Sequence, residues 1–390
     1  MKTFLEETLT SLEKKNLRRR LRLQDSRHSA RIVFEGKDVL NFCSNNYLGL
    51  ADDERLCQAA REAMDNQGFG SGASRLVCGN MKAHRELENR IAQFKGTEAA
   101  LTFSTGYMAN VGIISSLFGR GDIIFSDKLN HASIIDGIIL SQAEFKRYPH
   151  QDMQALEDML KSTIGFKKRA IITDSVFSMD GDLAPLDHIV MLAEKYGCSL
   201  MIDEAHALGV MGDRGKGLAE HFHLDDKIDI QMGTFSKAVG SFGAYCCGSK
   251  NLIEFLVNKA RSFIYTTGLP PAVSAASAKA LEIIENEPQL RQKLWDNTFF
   301  IQRRVKELGF NTLGSETPII PLLTGDPVLA VEFSKRLLEE GILINAIRPP
   351  TVPQNTARLR LTVMATHTRK DLEYLLEKLE QIGKELRVIK

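Results

Sequence analysis

The sequence predicts an α/β protein with a large, mainly parallel-sheet domain and a smaller C-terminal α+β domain. Three observations carry this. From about residue 97, short apolar runs alternate with helical stretches, the pattern of a sheet covered by helices on both faces. Several of those runs end in polar residues: Ser104-Thr105-Gly106, Asp127, Asp174-Ser175 and Asp203. The 390 residues also suffice for two or three domains of the usual ~100–200 residues. The expected division is an N-terminal helix and arm at 1–50, a large domain at 51–285 and a small one at 286–390.

Taken in order, residues 1–23 place Phe4, Leu5, Leu9, Leu12 and Leu17 at helical spacing, and this amphipathic stretch ends in a basic cluster of Lys14, Lys15, Arg18, Arg19, Arg20 and Arg22. A short strand over 39–43 leads into the polar turn 44–50. Gly68, Gly70 and Gly72 imitate a dinucleotide fingerprint, but they follow a helical segment and the third glycine comes too early, so a loop approaching an active site is the better reading. Strands follow at 99–103, 123–126, 170–173, 200–202, 228–232 and 244–247, with helices at 107–118, 152–162 and 186–196 among them. Beyond Pro270-Pro271 come helices at 272–286 and 289–308. The C-terminal unit has strands at 319–323 and 358–363 and helices at 327–340 and 368–386.

Composition excludes several functions. A net charge of +1 gives no field to draw nucleic acid or an anionic membrane. The six cysteines form no C-x-x-C pair and have no ligand-like spacing with histidine, so no metal site is expected and a reduced, cytoplasmic setting is. No uncharged apolar run reaches the ~18 residues of a spanning helix.

The chemistry gathers around Thr234-Phe235-Ser236-Lys237-Ala238-Val239-Gly240. A lysine past a strand, with hydroxyls beside it and glycines after it, suits a Schiff base to an aldehyde cofactor whose phosphate the hydroxyls hold. Asp203, at the mouth of a buried strand, needs a cation, and a pyridinium nitrogen is one. His206 is within reach of the same ring, and His131 is placed to stack on it. Gly106 and Tyr107 open a helix whose first N–H groups suit a phosphate, and Ser178 enters from another strand-end loop. Asp203-Glu204-Ala205-His206 also occurs as a helicase motif, but that reading needs a phosphate loop. The nearest candidate has its glycines, Gly209 and Gly215, six apart instead of five, and Gly217 stands where a hydroxyl is required.

Asn45-Asn46-Tyr47-Leu48-Gly49-Leu50, Asn130-His131-Ala132-Ser133, Ser175-Val176-Phe177-Ser178-Met179-Asp180-Gly181-Asp182, Asp203-Glu204-Ala205-His206 and Thr234-Phe235-Ser236-Lys237 occur in one order. In this the chain resembles the α-oxoamine synthases over about residues 15–385. These are fold-type I pyridoxal-phosphate enzymes that condense an amino acid with an acyl thioester and lose CO₂. The resemblance implies an aspartate-aminotransferase-like fold and a homodimer with active sites at the subunit interface. It implies Lys237 as Schiff-base lysine and general base, Asp203 on the pyridine nitrogen, His206 at the ring oxygen and His131 on the ring face. Gly106, Tyr107, Ser178 and Thr234 would hold the cofactor, with Thr266 and Thr267 reaching the phosphate of the other subunit. Arg360, Asn45, Arg18 and Thr351 would contact substrate, while Arg358 reads as a salt bridge.

Arg348-Pro349-Pro350-Thr351-Val352-Pro353 looks most like family members that join L-alanine to a pimeloyl thioester, carried by CoA or an acyl-carrier protein, in biotin biosynthesis. The alternative is glycine C-acetyltransferase activity on glycine and acetyl-CoA; serine palmitoyltransferase and 5-aminolevulinate synthase fit this segment less well. A binding protein that keeps the fold without the chemistry is opposed by the joint presence of Lys237, Asp203 and His206.

Overall fold

The structure, a computed structural model, describes residues 1–14 and 17–390. The N-terminal helix, Lys2–Lys14, is shorter than its apolar spacing predicts. Lys15 of the basic cluster lies outside the described residues, and Leu17 to Leu23 are not helical. None of the helix is buried, so no packed face prolongs it. A hairpin follows, β1 (Arg31–Phe34) and β2 (Lys37–Asn41), turned by Glu35 and Gly36 at φ 50° and 75°.

The large sheet has seven strands: β3 (Ala99–Phe103), β4 (Ile123–Asp127), β5 (Glu144–Tyr148), β6 (Arg169–Asp174), β7 (Ser199–Asp203), β8 (Ile230–Thr234) and β9 (Ala244–Gly248). Their order is β3-β9-β8-β7-β6-β4-β5. Strand β9 runs opposite to the other six strands, so the sheet is mainly parallel, as expected. Successive residues point to opposite faces, and both faces are buried. Ile123, Phe125, Ile171, Leu200 and Ile202 enter one apolar cluster, whereas Ile124, Ala170, Ile172, Met201 and Met232 enter the other. Continuous apolar runs are the sequence signature of that double burial. The strand that periodicity misses is β5, Glu-Phe-Lys-Arg-Tyr. It lies at the sheet edge, where only Tyr148 is fully buried and charged residues discourage pairing with another chain.

The C-terminal unit contains β10 (Ile319–Gly325), β11 (Ile342–Leu343), β12 (Asn345–Ile347) and β13 (Ala357–Thr362). Strands β10, β13 and β12 form an antiparallel sheet in that order. Helices Pro327–Glu339 and Arg369–Glu385 help cover it around Phe333, Leu359, Leu361, Leu372 and Leu375. Thr368 and Asp371 cap the last helix reciprocally. Strand β11 pairs in parallel with β2, which ties the N-terminal arm to this unit.

Candidate active site

Three neighbouring strands end in one row: Asp174 of β6 lies opposite Asp203 of β7, and Asp203 opposite Met232 of β8. Parallel strands place their carboxyl ends on one edge, and here a cavity of about 160 Å³ opens beyond it. Lys237, Asp203, His206, His131, Ser178, Thr234, Gly106 and Tyr107 all line it, so eight side chains or backbone positions read from separate motifs meet in one space.

Because β9 reverses direction, the chain returns from β8 through the short loop 235–243. Phe235 N–H donates to the Gly243 carbonyl (2.9 Å), Gly240 N–H to that of Lys237 (2.9 Å), and Thr234 Oγ1 to that of Gly243 (2.7 Å). Gly240, at φ 70°, packs so closely that a Cβ there would sit 2.3 Å from the Ala51 nitrogen. Lys237 is thus carried on a rigid turn. Burial pushes its amine down to about 8, against the opposing charges of Asp203 and Asp174 and with help from Arg360.

Asp203 is buried, and each of its oxygens accepts one hydrogen bond: Oδ2 from Asn110 Nδ2 (2.8 Å) and Oδ1 from the Ala205 N–H (2.9 Å), which leaves acceptor capacity on both. Asp174 accepts the His131 N–H (2.7 Å), while burial and then the neighbouring Asp203 charge hold its pKa well above the usual carboxylate range. His131 caps helix Ala132–Ser141, with Nδ1 2.8 Å from Ser133 Oγ. Burial lowers its pKa, and does so far more strongly for His206, whose Nδ1 is 2.7 Å from Tyr47 Oη. Both rings are therefore neutral near pH 7.

Thr105 caps helix Gly106–Leu117 by accepting from Met108 N–H (3.1 Å). Gly106 and Tyr107 keep the unpaired N–H groups that every helix start presents. Asn110, one turn on, donates to both Asp203 and Ser133, but its Oδ1 is buried without a partner among the described residues. The donor set therefore fits a flat, phosphate-bearing aldehyde: a low-pKa amine, a buried carboxylate opposite a helix N-terminus, and neutral imidazoles flanking the space.

Arg360 of β13 and Asn45 do not line the cavity itself, but the Arg360 charge acts on Lys237 and His206 from the C-terminal unit. Arg360 Nε donates to the Ser178 carbonyl (2.6 Å), Nη1 to Thr362 Oγ1 (3.0 Å) and Nη2 to Asn45 Oδ1 (3.0 Å). Arg358, two residues away, instead forms a buried ion pair with Asp180. Arg18 and Thr351 do not line the cavity; they line a larger groove of about 680 Å³ together with Arg19, Leu9, Leu12 and the 345–350 segment. Thr266 and Thr267 are also outside the cavity, on an outer segment where Thr267 pairs with Ser74.

Sequence reasoning left Asn110, Ser133, Asp174 and Tyr47 unassigned, whereas Ser236, one of the two hydroxyls flanking Phe235, does line the cavity. Asn110 carried a usable signal, since it is a polar residue in an otherwise apolar helix turn, four positions from Gly106 and so on the same face. Among the described residues, no cluster of histidine, cysteine, aspartate or glutamate side chains is arranged to hold a metal, and no helix is long and apolar enough to cross a membrane.

Fold and site together define a pyridoxal-phosphate enzyme class built on an aminotransferase scaffold. The chain belongs to the aminotransferase class I and II family, whose family model matches residues 37–379. Within that family it is 52% identical to the 8-amino-7-oxononanoate synthase of Geobacter sulfurreducens over 98% of each chain, and 52% identical to that of Citrifermentans bemidjiense over the full length of both. Among solved structures, the serine palmitoyltransferase of Sphingomonas wittichii superposes with a TM-score of 0.94 at 32% identity, covering 100% of this chain and 98% of that one. A serine palmitoyltransferase from S. paucimobilis with a bound PLP–myriocin adduct gives the same TM-score and identity over 99% and 98%. The 8-amino-7-oxononanoate synthase of Francisella tularensis gives 0.78 at 31% over 89% and 98%. These relatives bear out the resemblance to the α-oxoamine synthases.

Proposed function

We propose that this protein catalyses the 8-amino-7-oxononanoate synthase reaction, joining L-alanine to a pimeloyl thioester with loss of CO₂ in biotin biosynthesis, with pyridoxal 5'-phosphate as cofactor. The observation that carries this is the meeting of Lys237 and Asp203 in one cavity beside the helix start at Gly106. Relatives of that activity, about half identical along the whole chain, support it.

Pyridoxal phosphate, when bound, supplies a protonated ring that accepts the electron pair left when the substrate Cα loses a proton or CO₂. Lys237 would hold it through Nζ, Asp203 would keep a proton on the ring nitrogen, and neutral His131 would lie on the ring face with His206 at its oxygen. Gly106, Tyr107, Ser178 and Thr234 would hold the ring and phosphate, joined by Thr266 and Thr267 of a second copy. Arg360, steadied by Asn45, would receive the alanine carboxylate as a charge-assisted pair. The Lys237 amine, neutral in part near pH 7 because burial lowers its pKa to about 8, would take the Cα proton. The carbon then attacks the thioester carbonyl, the thiol departs, CO₂ is lost, and a proton returns to Cα. Arg18 and Thr351, on the adjoining groove, would guide the acyl donor, whether CoA or acyl-carrier protein carries it.

A homodimer accords with exposed Phe69, Leu76, Val77 and Tyr265, which lie on two segments joined by the Ser74–Thr267 bridge. Six free cysteines accord with a cytoplasmic setting. The test is kcat/KM for alanine with pimeloyl-CoA against glycine with acetyl-CoA. The first pair should prevail; preference for the second would make the chain a glycine C-acetyltransferase.

A further inference from the structure

The 175–182 motif contains more than the cavity uses. Ser178 lines the cavity, but Asp182 belongs to a separate, largely buried polar cluster outside its lining. His150 stands between two carboxylates there, with Nδ1 3.0 Å from Asp127 Oδ1 and Nε2 2.7 Å from Asp182 Oδ2. Its ring meets Phe177 edge-on at 4.4 Å between centroids. Gln151 repeats the tie: its N–H donates to Asp127 Oδ2 (3.0 Å), and its side-chain amide donates to Asp182 Oδ2 (2.7 Å) and the Leu183 carbonyl (2.9 Å). Gln151 does this at φ 57°, a left-handed backbone that a residue with a side chain keeps only when its surroundings enforce it. Burial opposes charge on His150, but the hydrogen bonds to Asp127 and Asp182 outweigh it and push its pKa to about 10. The imidazole is therefore a cation held between two carboxylates, each of which also accepts from Gln151.

The opposite side of the same loop faces the C-terminal unit. Asp180 pairs with Arg358, the Ser178 carbonyl takes Arg360 Nε, and the Gly181 carbonyl takes the Glu316 N–H (3.0 Å). A Cβ at Gly181 would come within 2.1 Å of the Ile319 carbonyl, so the fit has no slack. The loop 176–183 is thus gripped by the β4 end on one side, and itself grips Arg360 on the other.

We propose that His150 is a positioning residue for amino-acid recognition: by bridging Asp127 and Asp182 it fixes the 176–183 loop, and so the Ser178 carbonyl that aims Arg360 at the substrate carboxylate. This rests on the reading of Arg360 given above. His150 itself lines neither the cavity nor the acyl groove. Its loss acts on the direction of the Arg360 guanidinium, and a bidentate carboxylate contact is sensitive to direction.

The experiment compares His150→Ala, Asp182→Asn and Arg360→Lys as holoenzymes, with KM measured separately for alanine and for pimeloyl-CoA. His150→Ala should raise the alanine KM about tenfold or more while the thioester KM stays within about twofold. Asp182→Asn removes the charge at constant size, and should move the alanine KM the same way by a smaller factor even if His150→Ala does not fold. An unchanged alanine KM in folded His150→Ala and Asp182→Asn, or an equal rise in both KM values, overturns the proposal. If these variants leave the alanine KM unchanged while Arg360→Lys raises it, only the role of His150 is wrong. If Arg360→Lys leaves it unchanged, the reading of Arg360 fails and takes the proposal with it.

Discussion

Lys237 and Asp203 both line the cavity, and each carries its own test. Burial favours the uncharged amine at Lys237, so the apoprotein should react with pyridoxal phosphate faster as pH rises, levelling off above about 8. Stopped-flow absorbance in the visible would follow it, and borohydride reduction with peptide mapping should mark Lys237. A rate flat from about pH 6 to about pH 9, the range that brackets the lowered value, would contradict it. The same shift has a stability sign. A lysine whose folded pKa lies below its unfolded one binds fewer protons when folded, so apoprotein stability rises between pH ~8 and the unfolded value of ~10.4. Lys237→Met removes that penalty, so the apo variant should melt higher than the parent at pH 7, by a margin that shrinks toward pH ~10. For Asp203, replacement by Asn should preserve fold and cofactor uptake but slow substrate Cα proton exchange about a hundredfold or more. Exchange as fast as in the parent, measured by deuterium loss, would remove Asp203 from its role. Both residues were legible in the sequence because Asp203 closes an apolar strand and Lys237 follows one, places where a charged side chain has few structural reasons to be.

At the scale of elements, what could be read was set by burial. Strands β3, β6 and β7 announced themselves because both their faces are covered, whereas edge strand β5 has three exposed residues among its five and so no apolar run. The N-terminal stretch failed in the opposite direction: its leucines kept helical spacing to Leu17, yet the described helix stops at Lys14. The His150 cluster was invisible for a third reason, since it joins residues from three strand ends whose adjacency follows from sheet order and not from spacing. The basic cluster is sorted by the structure as well. Arg18 and Arg19 line the groove beside Thr351, Arg18 while paired with Glu13, whereas Arg22 is held by Glu35 and the Phe34 ring and lines no part of that groove. Arg18→Ala should therefore raise the thioester KM several-fold, about 5-fold or more for a charge-assisted contact. Arg22→Ala should stay near the parent value, because an exposed pair is worth only ~0–1 kcal/mol. Sequence alone grouped Arg19 with Arg22, but its place in the groove now predicts an intermediate effect. Steady-state kinetics on the three variants distinguish a graded response from three equal small effects, which would mark a merely solvated face.

Over the whole molecule, the apolar side chains left outside are as informative as those within. Phe69 and Val77 are each 78% exposed and Tyr265 72%, close to the outer threonines Thr266 and Thr267. If a second copy covers them, Val77→Glu with Tyr265→Asp should shift sedimentation from dimer to monomer and reduce activity, with cofactor retention falling in parallel. A dimeric, fully active double variant would show that the interface lies elsewhere.

The bond from Arg360 to Asn45 spans 315 residues, whereas the cavity lining lies between Gly106 and Lys237. That difference sets a schedule for the chain as it leaves the ribosome. Synthesis runs from the N-terminus, and domains fold as units once they emerge. The cavity segments are therefore available while β13 is still unmade, and Arg360, the residue proposed to receive the amino acid, arrives among the last pieces. A chain cut short before β13 would carry Lys237 without it. On the proposed role of Arg360, completion of translation sets when the enzyme becomes selective.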